Sequence, residues 1–127
     1  MPIDYTGPLV EAIVPGGIIF VTGTKSASGD NVLIASPGLG QQIVIVALNI
    51  QNEAATANTL ILKAGASAFY RFLGQTQGAG LSLVLPVNRQ WRLGVDANGN
   101  GNALQINLSA ATAVGYSIAF YYAPTGQ

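Results

Sequence analysis

The sequence predicts an all-β fold, an antiparallel sandwich or barrel of about nine short strands. Several segments alternate apolar and polar residues with a period of two, as strands with one buried face do. Valine, isoleucine, threonine and aromatic residues are concentrated in those segments, and turn-forming glycine, proline, asparagine and serine separate them. No segment carries the apolar stripe of an amphipathic helix. The pattern therefore indicates strands throughout.

Residues 1–17 are predicted to form an extended N-terminal arm. Three prolines interrupt this segment, and proline discourages regular pairing because it has no backbone N–H. Gly16-Gly17 closes the arm, so residues 18–127 are predicted to form a single β-sandwich domain. A frayed terminus is one interpretation. The other is an arm that packs on a neighbouring subunit, which is supported by its apolar residues, Leu9, Val10, Ile13 and Val14.

The strands after the arm are delimited by turn signals. Gly65-Ala66 is short enough for a hairpin, Pro86 ends a strand, and the asparagine- and glycine-rich segment 96–102 is a turn. In 103–109, leucine and isoleucine alternate with glutamine, asparagine and serine. The predicted strands, in order, are 18–24, 31–35, 42–51, 59–64, 67–73, 81–85, 91–95, 103–109 and 114–122.

Two of these strands are apolar on both faces. In a two-layer sandwich only one face of a strand meets the core, so the other face needs a second cover. In segment 42–51 the predicted core face holds Val44, Val46, Leu48 and Ile50. The opposite faces are predicted to form a subunit interface that contains Ile43, Ile45, Ala47 and Tyr121. The alternative is that the arm covers such a face within one monomer.

The composition also favours assembly. Lysine and arginine number 5, aspartate and glutamate number 5, and half of the 127 residues are hydrophobic, whereas ordinary domains are about a quarter charged. Such a chain is predicted to bury surface against other subunits or within a larger assembly. The zero net charge provides no electrostatic footprint for nucleic acid or anionic lipid. No apolar run is long enough to span a membrane, and no signal-peptide pattern is present.

The residue inventory excludes most catalytic chemistry. Histidine and cysteine are absent, which removes the usual general base, nucleophile and imidazole ligand. The carboxylates are widely spaced, so we predict no enzyme activity and no cofactor. Asp96 begins a D-x-N-x-N-G pattern like the first half of a calcium loop, but its twelfth position is Asn107 and not glutamate. We therefore predict a hairpin turn there and no metal site.

Trp91 is the single tryptophan and has Arg89 and Arg92 beside it. A lone tryptophan in a β-sandwich is more often a packing anchor, but it can also form a platform for a sugar or another ligand. The segment Tyr70, Arg71 and Phe72 raises the same question. Both interpretations stay open from the sequence.

The order of the strand segments carries a resemblance to a known family. The segments are QIVIVALNIQ at 42–51, NTLILK at 58–63, LSLVLP at 81–86, WRLG at 91–94, ALQINLS at 103–109 and GYSIAFYY at 115–122. In this order they resemble small virion proteins of tailed bacteriophages, above all the capsid decoration, or cement, proteins. Those proteins have a jelly-roll fold and form trimers on the capsid exterior.

The resemblance implies a homotrimeric jelly roll that binds the outer capsid surface and stabilises the shell. Its partners would be its own copies and the major capsid protein or another virion protein, and its location the virion exterior after synthesis in the host cytoplasm. The arm would contact the capsid. The alternative is a carbohydrate-binding or receptor-binding module of a phage fibre or spike. A small coat protein that encloses a genome is a third possibility, disfavoured because the arm is not basic.

Overall fold

The computed structural model describes residues 17–125, which form two antiparallel sheets packed as a β-sandwich. The five-stranded sheet consists of β1 (Ile19–Lys25), β3 (Gln41–Asn52), β6 (Gly80–Val84), β7 (Trp91–Arg92) and β9 (Val114–Pro124). The four-stranded sheet consists of β2 (Gly29–Ile34), β4 (Asn58–Ala64), β5 (Ser67–Gly74) and β8 (Leu104–Leu108). A 3-10 helix, Val87–Arg89, precedes β7. The predicted all-β sandwich is confirmed.

The connectivity is that of a jelly roll. The five-stranded sheet has the order β1-β9-β3-β6, with β7 also paired to β3, and the four-stranded sheet has the order β2-β8-β4-β5. The chain thus crosses repeatedly between the sheets, and its first and last strands lie side by side, which is the double Greek key of jelly-roll domains. The fold that the family resemblance implied is therefore present. No helix within residues 17–125 is long and apolar enough to cross a membrane.

The core lies between the two sheets and follows the period-two alternation of the strands. In β8, Leu104, Ile106 and Leu108 are each 1% exposed, whereas the residues between them are half-buried. Burying one such side chain contributes about 1.5–3 kcal/mol. In β9, Ile118 and Phe120 point inward in the same way. The alternating faces seen in the sequence therefore become the two layers of one core.

β3 changes face at a β-bulge, which corrects one prediction. Ile45 pairs with Phe120 and Ala47 pairs with Ala119, so Val46 is an extra residue in β3. An extra residue shifts the alternation by one position. Ile43 and Ile45 are consequently fully buried in the core between the sheets.

Ala47, in contrast, lies on the outer face of the five-stranded sheet. The prediction that Ile43 and Ile45 face outward is therefore wrong, because it assumes strict alternation and the bulge at Val46 interrupts that alternation.

Tyr121 does face away from the core, but its own chain covers it. It forms a small second cluster with Val44 and Ala123 on the outer side of the five-stranded sheet, and it is 6% exposed. Its hydroxyl group donates a hydrogen bond to Gln90 Oε1 over 3.0 Å. The arm residues predicted to contact a capsid, Leu9, Val10, Ile13 and Val14, lie outside the described residues.

Two buried asparagines hold the loops at one end of the sandwich. The Asn52 amide group donates to the carbonyl oxygens of Thr56 and Gly74 over 2.9 and 2.8 Å. Asn58 donates to the Ala110 carbonyl oxygen, and its own Oδ1 accepts from the Ala110 amide. Both side chains are 0% exposed. Because buried polar groups need partners, these amides fix the backbone of the loops beside them.

Candidate functional site

The outer face of the five-stranded sheet carries an apolar row that crosses four strands. Directly paired residues share a face, and the register places Phe20 opposite Ala119, Ala119 opposite Ala47, and Ala47 opposite Val84. Phe20 and Val84, at the ends of the row, are 79% and 83% exposed. Two alanines between two larger side chains create a depression of about 460 Å³. We call this depression the outer groove.

A second row of uncharged polar residues forms the other half of the groove floor. Thr22 pairs with Ser117, Ser117 with Asn49, and Asn49 with Ser82. Thr22 Oγ1 lies 3.0 Å from Ser117 Oγ and donates to the Tyr116 carbonyl oxygen. None of the described residues that line the groove is charged. The groove therefore suits an apolar or neutral polar surface and holds no acid or base for catalysis.

Sequence reasoning selected Ala47 for an interface and missed the two exposed walls of the groove. Phe20 and Val84 form these walls, and the apolar residues on both sides of Phe20 do not show which face of β1 is buried. The exposure of both walls follows from strand order, which places β1 and β6 at opposite edges of one sheet. The alternation of Leu81 and Leu83 against Ser82 and Val84 is the signal that could have identified Val84.

A second candidate site lies at the open side of the sandwich, between β5 and β7. The Trp91 ring lies 5.2 Å from the Phe69 ring, edge to face at 78°, and 5.6 Å from the Tyr70 ring at 37°. Leu62 pairs with Tyr70 whereas Lys63 pairs with Ala68, so Phe69 is an extra residue in β5. Bulges re-aim side chains, and this one brings two consecutive aromatic residues to Trp91.

The Phe69 and Trp91 rings border a depression of about 410 Å³, which we call the aromatic depression, and Tyr70 lines an adjoining hollow. The aromatic depression is lined by Ala64, Phe69, Gln90, Trp91, Arg92 and Leu93. Phe69 and Tyr70 are 38% and 36% exposed, and Trp91 is half-buried against the core. The structure thus joins Trp91 with Tyr70, as the platform interpretation requires, and adds Phe69, which sequence reasoning did not select.

The arginines near the aromatic depression are exposed and lack carboxylate partners within residues 17–125. Arg92 lines the depression itself. Arg71 lines an adjoining hollow of about 270 Å³ that shares Phe69 with it. The ion pair found among the described residues is elsewhere, between Lys63 Nζ and Asp30 Oδ2 over 2.9 Å. This end of the molecule therefore presents unneutralised positive charge beside aromatic rings.

The Asp30 carboxylate belongs to a structural network on the outer face of the four-stranded sheet. Its Oδ1 accepts a hydrogen bond from Asn107 Nδ2 over 2.7 Å, and Lys63 lies at its other oxygen. The hydrogen bond from Asn107 and then that from Lys63 lower the pKa of Asp30 below its usual value. The network joins β2, β8 and β4 and stabilises their register.

The Asp96 segment forms the predicted turn. Asp96 Oδ1 accepts hydrogen bonds from the backbone amides of Asn98 and Asn100 over 2.8 and 3.1 Å. Gly99 has a φ of 84°, a conformation that favours glycine. Within residues 17–125, no group of three or more aspartate, glutamate, histidine or cysteine residues is placed to hold a metal ion.

Comparison with known proteins identifies fold similarity alone. No family model matches the chain, and no curated protein matches it. A structure from Bacillus endospore appendages, which form a novel family of disulfide-linked pili, is similar with a TM-score of 0.50 and 14% identity, covering 85% of each chain. The 127 residues of the present chain contain no cysteine.

Two further structures are similar at lower scores. One is the virus-like particle of the extra small virus of the giant freshwater prawn Macrobrachium rosenbergii, with a TM-score of 0.41, 14% identity, and coverage of 96% of this chain and 89% of that one. The other is PirA, with a TM-score of 0.39, 15% identity, and coverage of 82% and 93%.

Proposed function

We propose that the chain is a structural protein that assembles with copies of itself, as a homotrimer that decorates and stabilises the outer surface of a viral capsid. The observation that carries this proposal is the outer groove, an uncharged face whose Phe20 and Val84 walls are 79% and 83% exposed. Exposed apolar surface of this kind marks interaction sites in soluble proteins.

A second copy of the chain is the occupant that the groove fits best. No charged side chain lines it, so an identical surface meets no electrostatic repulsion there. Phe20 projects from one wall, and the alanine floor between the walls is low enough to receive such a ring. A projection on one copy that enters a depression on the next is a heterologous contact, and three such contacts close a ring.

The decoration role rests on further support outside the groove. The strand order is that of a jelly roll, the fold of the decoration proteins that the sequence resembles. The Bacillus endospore appendages, one of whose structures is similar in fold, form pili, which are assemblies of protein subunits. In this proposal the major capsid protein is the second partner, and the arm residues Leu9, Val10, Ile13 and Val14 contact it. The proposal includes no nucleic acid, membrane or substrate as a partner.

The first experiment is the absolute mass of the purified protein by light scattering after size exclusion. We expect three times the 13.0 kDa chain mass. Val84→Lys should dissociate the trimer, because the change places a charge against the apolar surface of the neighbour.

Val32→Lys is the matched control, because Val32 is 48% exposed on the outer face of the other sheet. A wild-type monomer at concentrations well above micromolar, or equal dissociation by both variants, contradicts the proposal. Trimers that bind undecorated capsids would further support the virion role.

A further inference from the structure

We infer that the aromatic depression binds an acidic saccharide, a chain of hexopyranose rings that carry carboxylate groups. This site is separate from the outer groove and does not depend on the assembly role. It would give the protein an adhesive function in addition to a structural one. Three observations carry the inference: partly exposed aromatic rings, arginines without acidic partners, and an open depression between them.

The aromatic residues provide the stacking surface. The faces of aromatic rings carry partial negative charge and attract the C–H groups of a sugar ring, which carry partial positive charge. Trp91 is held in place by the core and by Phe69 at 5.2 Å, so its ring is preorganised. Phe69 lines the depression and Tyr70 lines the adjoining hollow, and both remain more than a third exposed. A ligand that spans the depression and the hollow would cover this apolar surface.

The arginines define the charge of the ligand. Arg92 lines the depression and Arg71 lines the adjoining hollow, and both are exposed. Arg89 lies two positions before Trp91 and is also exposed. No carboxylate pairs with any of these arginines within residues 17–125. Guanidinium groups bind carboxylates through paired hydrogen bonds, so a carboxylate-bearing ring complements this site better than a neutral sugar does.

Single-stranded nucleic acid also combines stacking with negative charge, but the site favours a saccharide. Nucleic-acid binding needs a positive groove that follows several successive phosphates. Here two hollows of about 410 and 270 Å³ share one side chain, Phe69. The net charge of the chain is also zero. Two compact hollows with an arginine each suit two adjacent sugar rings.

The intrinsic fluorescence of Trp91 tests the inference directly, because Trp91 is the only tryptophan in the sequence. The probes are oligogalacturonate, oligosialic acid and hyaluronan oligosaccharides, with maltohexaose as the neutral control and a thymidine decanucleotide as the nucleic-acid control. We expect a saturable change in emission with at least one acidic saccharide. The affinity should fall as sodium chloride is added, because salt screens the ion pairs.

Variants separate the two parts of the site. Arg92→Gln and Phe69→Ala should each weaken binding about tenfold. Lys25→Gln removes a cation from a distant strand, and Leu73→Ala removes an exposed apolar side chain from the same strand as Phe69. Both should bind like the wild type, and all four variants should keep the oligomeric mass of the wild type.

The outcomes that overturn the inference are distinct from failure of the assembly proposal, which is read from mass alone. No change in Trp91 emission with any of the three acidic saccharides would reject the site. Equal affinity for maltohexaose would reject the acidic ligand class. Tighter binding of the thymidine decanucleotide would assign the site to nucleic acid instead.

Discussion

The two outer faces of this sandwich both belong to antiparallel sheets, but their side chains are chemically opposite. On the four-stranded sheet, one row that crosses the strands contains Asp30, Asn107, Ile61 and Arg71, and the next contains Val32, Gln105, Lys63 and Ala68. On the five-stranded sheet, the corresponding apolar row contains Phe20, Ala119, Ala47 and Val84.

The outer face of the four-stranded sheet is compatible with solvent, because its charged and amide side chains form hydrogen bonds with one another. Along the outer groove, the outer face of the five-stranded sheet has neither charged side chains nor apolar side chains large enough to cover the alanine floor. The few charged residues of this chain are therefore distributed unevenly between the two outer faces. One face suits solvent, and the outer groove of the other face suits the contact with protein that we propose.

The largest effect on stability should come from β3, where the bulge places Ile45 in the core and Ala47 on the outer face. Ile45→Asp buries an unpaired charge in the core and should destabilise the fold by more than about 4 kcal/mol, enough to unfold a small domain. Ala47→Asp, two positions later on the outer face, should leave the fold intact and abolish the trimer. Urea unfolding followed by circular dichroism, together with light scattering, distinguishes the two. Equal unfolding of both variants would show that Ala47 is not on a free face.

The next effect compares a fully buried and a half-buried asparagine in the four-stranded sheet. Asn58→Ala should cost about 3 kcal/mol, because it leaves buried groups of the 109–113 loop without partners. Asn107→Ala, on the solvent face, should cost less than about 1 kcal/mol. The measurement is the free energy of unfolding in urea. If the two losses are equal, the Asn58 network contributes no more than a surface hydrogen bond.

Phe20→Ala tests whether the outer groove contributes to association and not to the stability of the single chain. Because Phe20 is 79% exposed in the single chain, its removal should change monomer stability by no more than about 0.5 kcal/mol. The trimer, in contrast, should dissociate at concentrations at least about tenfold higher, since a buried aromatic anchor is lost. Sedimentation equilibrium over a concentration series measures this. Unchanged association would place the interface elsewhere.

The smallest effect belongs to the charged face. The pKa of Asp30 is lowered in the folded protein by its bonds to Asn107 and Lys63, so the ionised carboxylate stabilises the fold above its unfolded pKa. That contribution disappears as the pH falls through the folded pKa. Because the pair is on the surface, Asp30→Asn should cost less than about 1 kcal/mol at neutral pH. The unfolding free energies of variant and wild type should converge in acid; a constant difference would contradict this.

Much of the fold was predictable from local pattern. Every predicted strand overlaps an observed one, because alternation and turn residues act within a few positions of the chain. The strand at 91–95 is shorter than predicted, since β7 ends at Arg92 and Gly94 turns the chain with a φ of 70°. The predicted turn after Asp96 is also present, because asparagine and glycine specify it locally.

The candidate sites were less predictable. Ala47 and Tyr121 were placed on the outer face correctly, but Ile43 and Ile45 were not, because the bulge at Val46 depends on pairing with β9. Phe69 joins Trp91 through a second bulge, set by pairing with β4. A bulge is the response of one strand to its partner, so the residues of a single strand do not reveal it.

Composition and alternation are sufficient to predict an all-β sandwich with few charges and no histidine or cysteine for catalysis. Alternation and turn chemistry are local properties of the chain and composition is an additive one, so all three can be obtained without knowledge of the fold. The folded structure alone shows which face of each strand is buried, which strands lie at the sheet edges, and which side chains meet across them. Those outcomes depend on pairing between distant segments, and both the outer groove and the aromatic depression exist because of them.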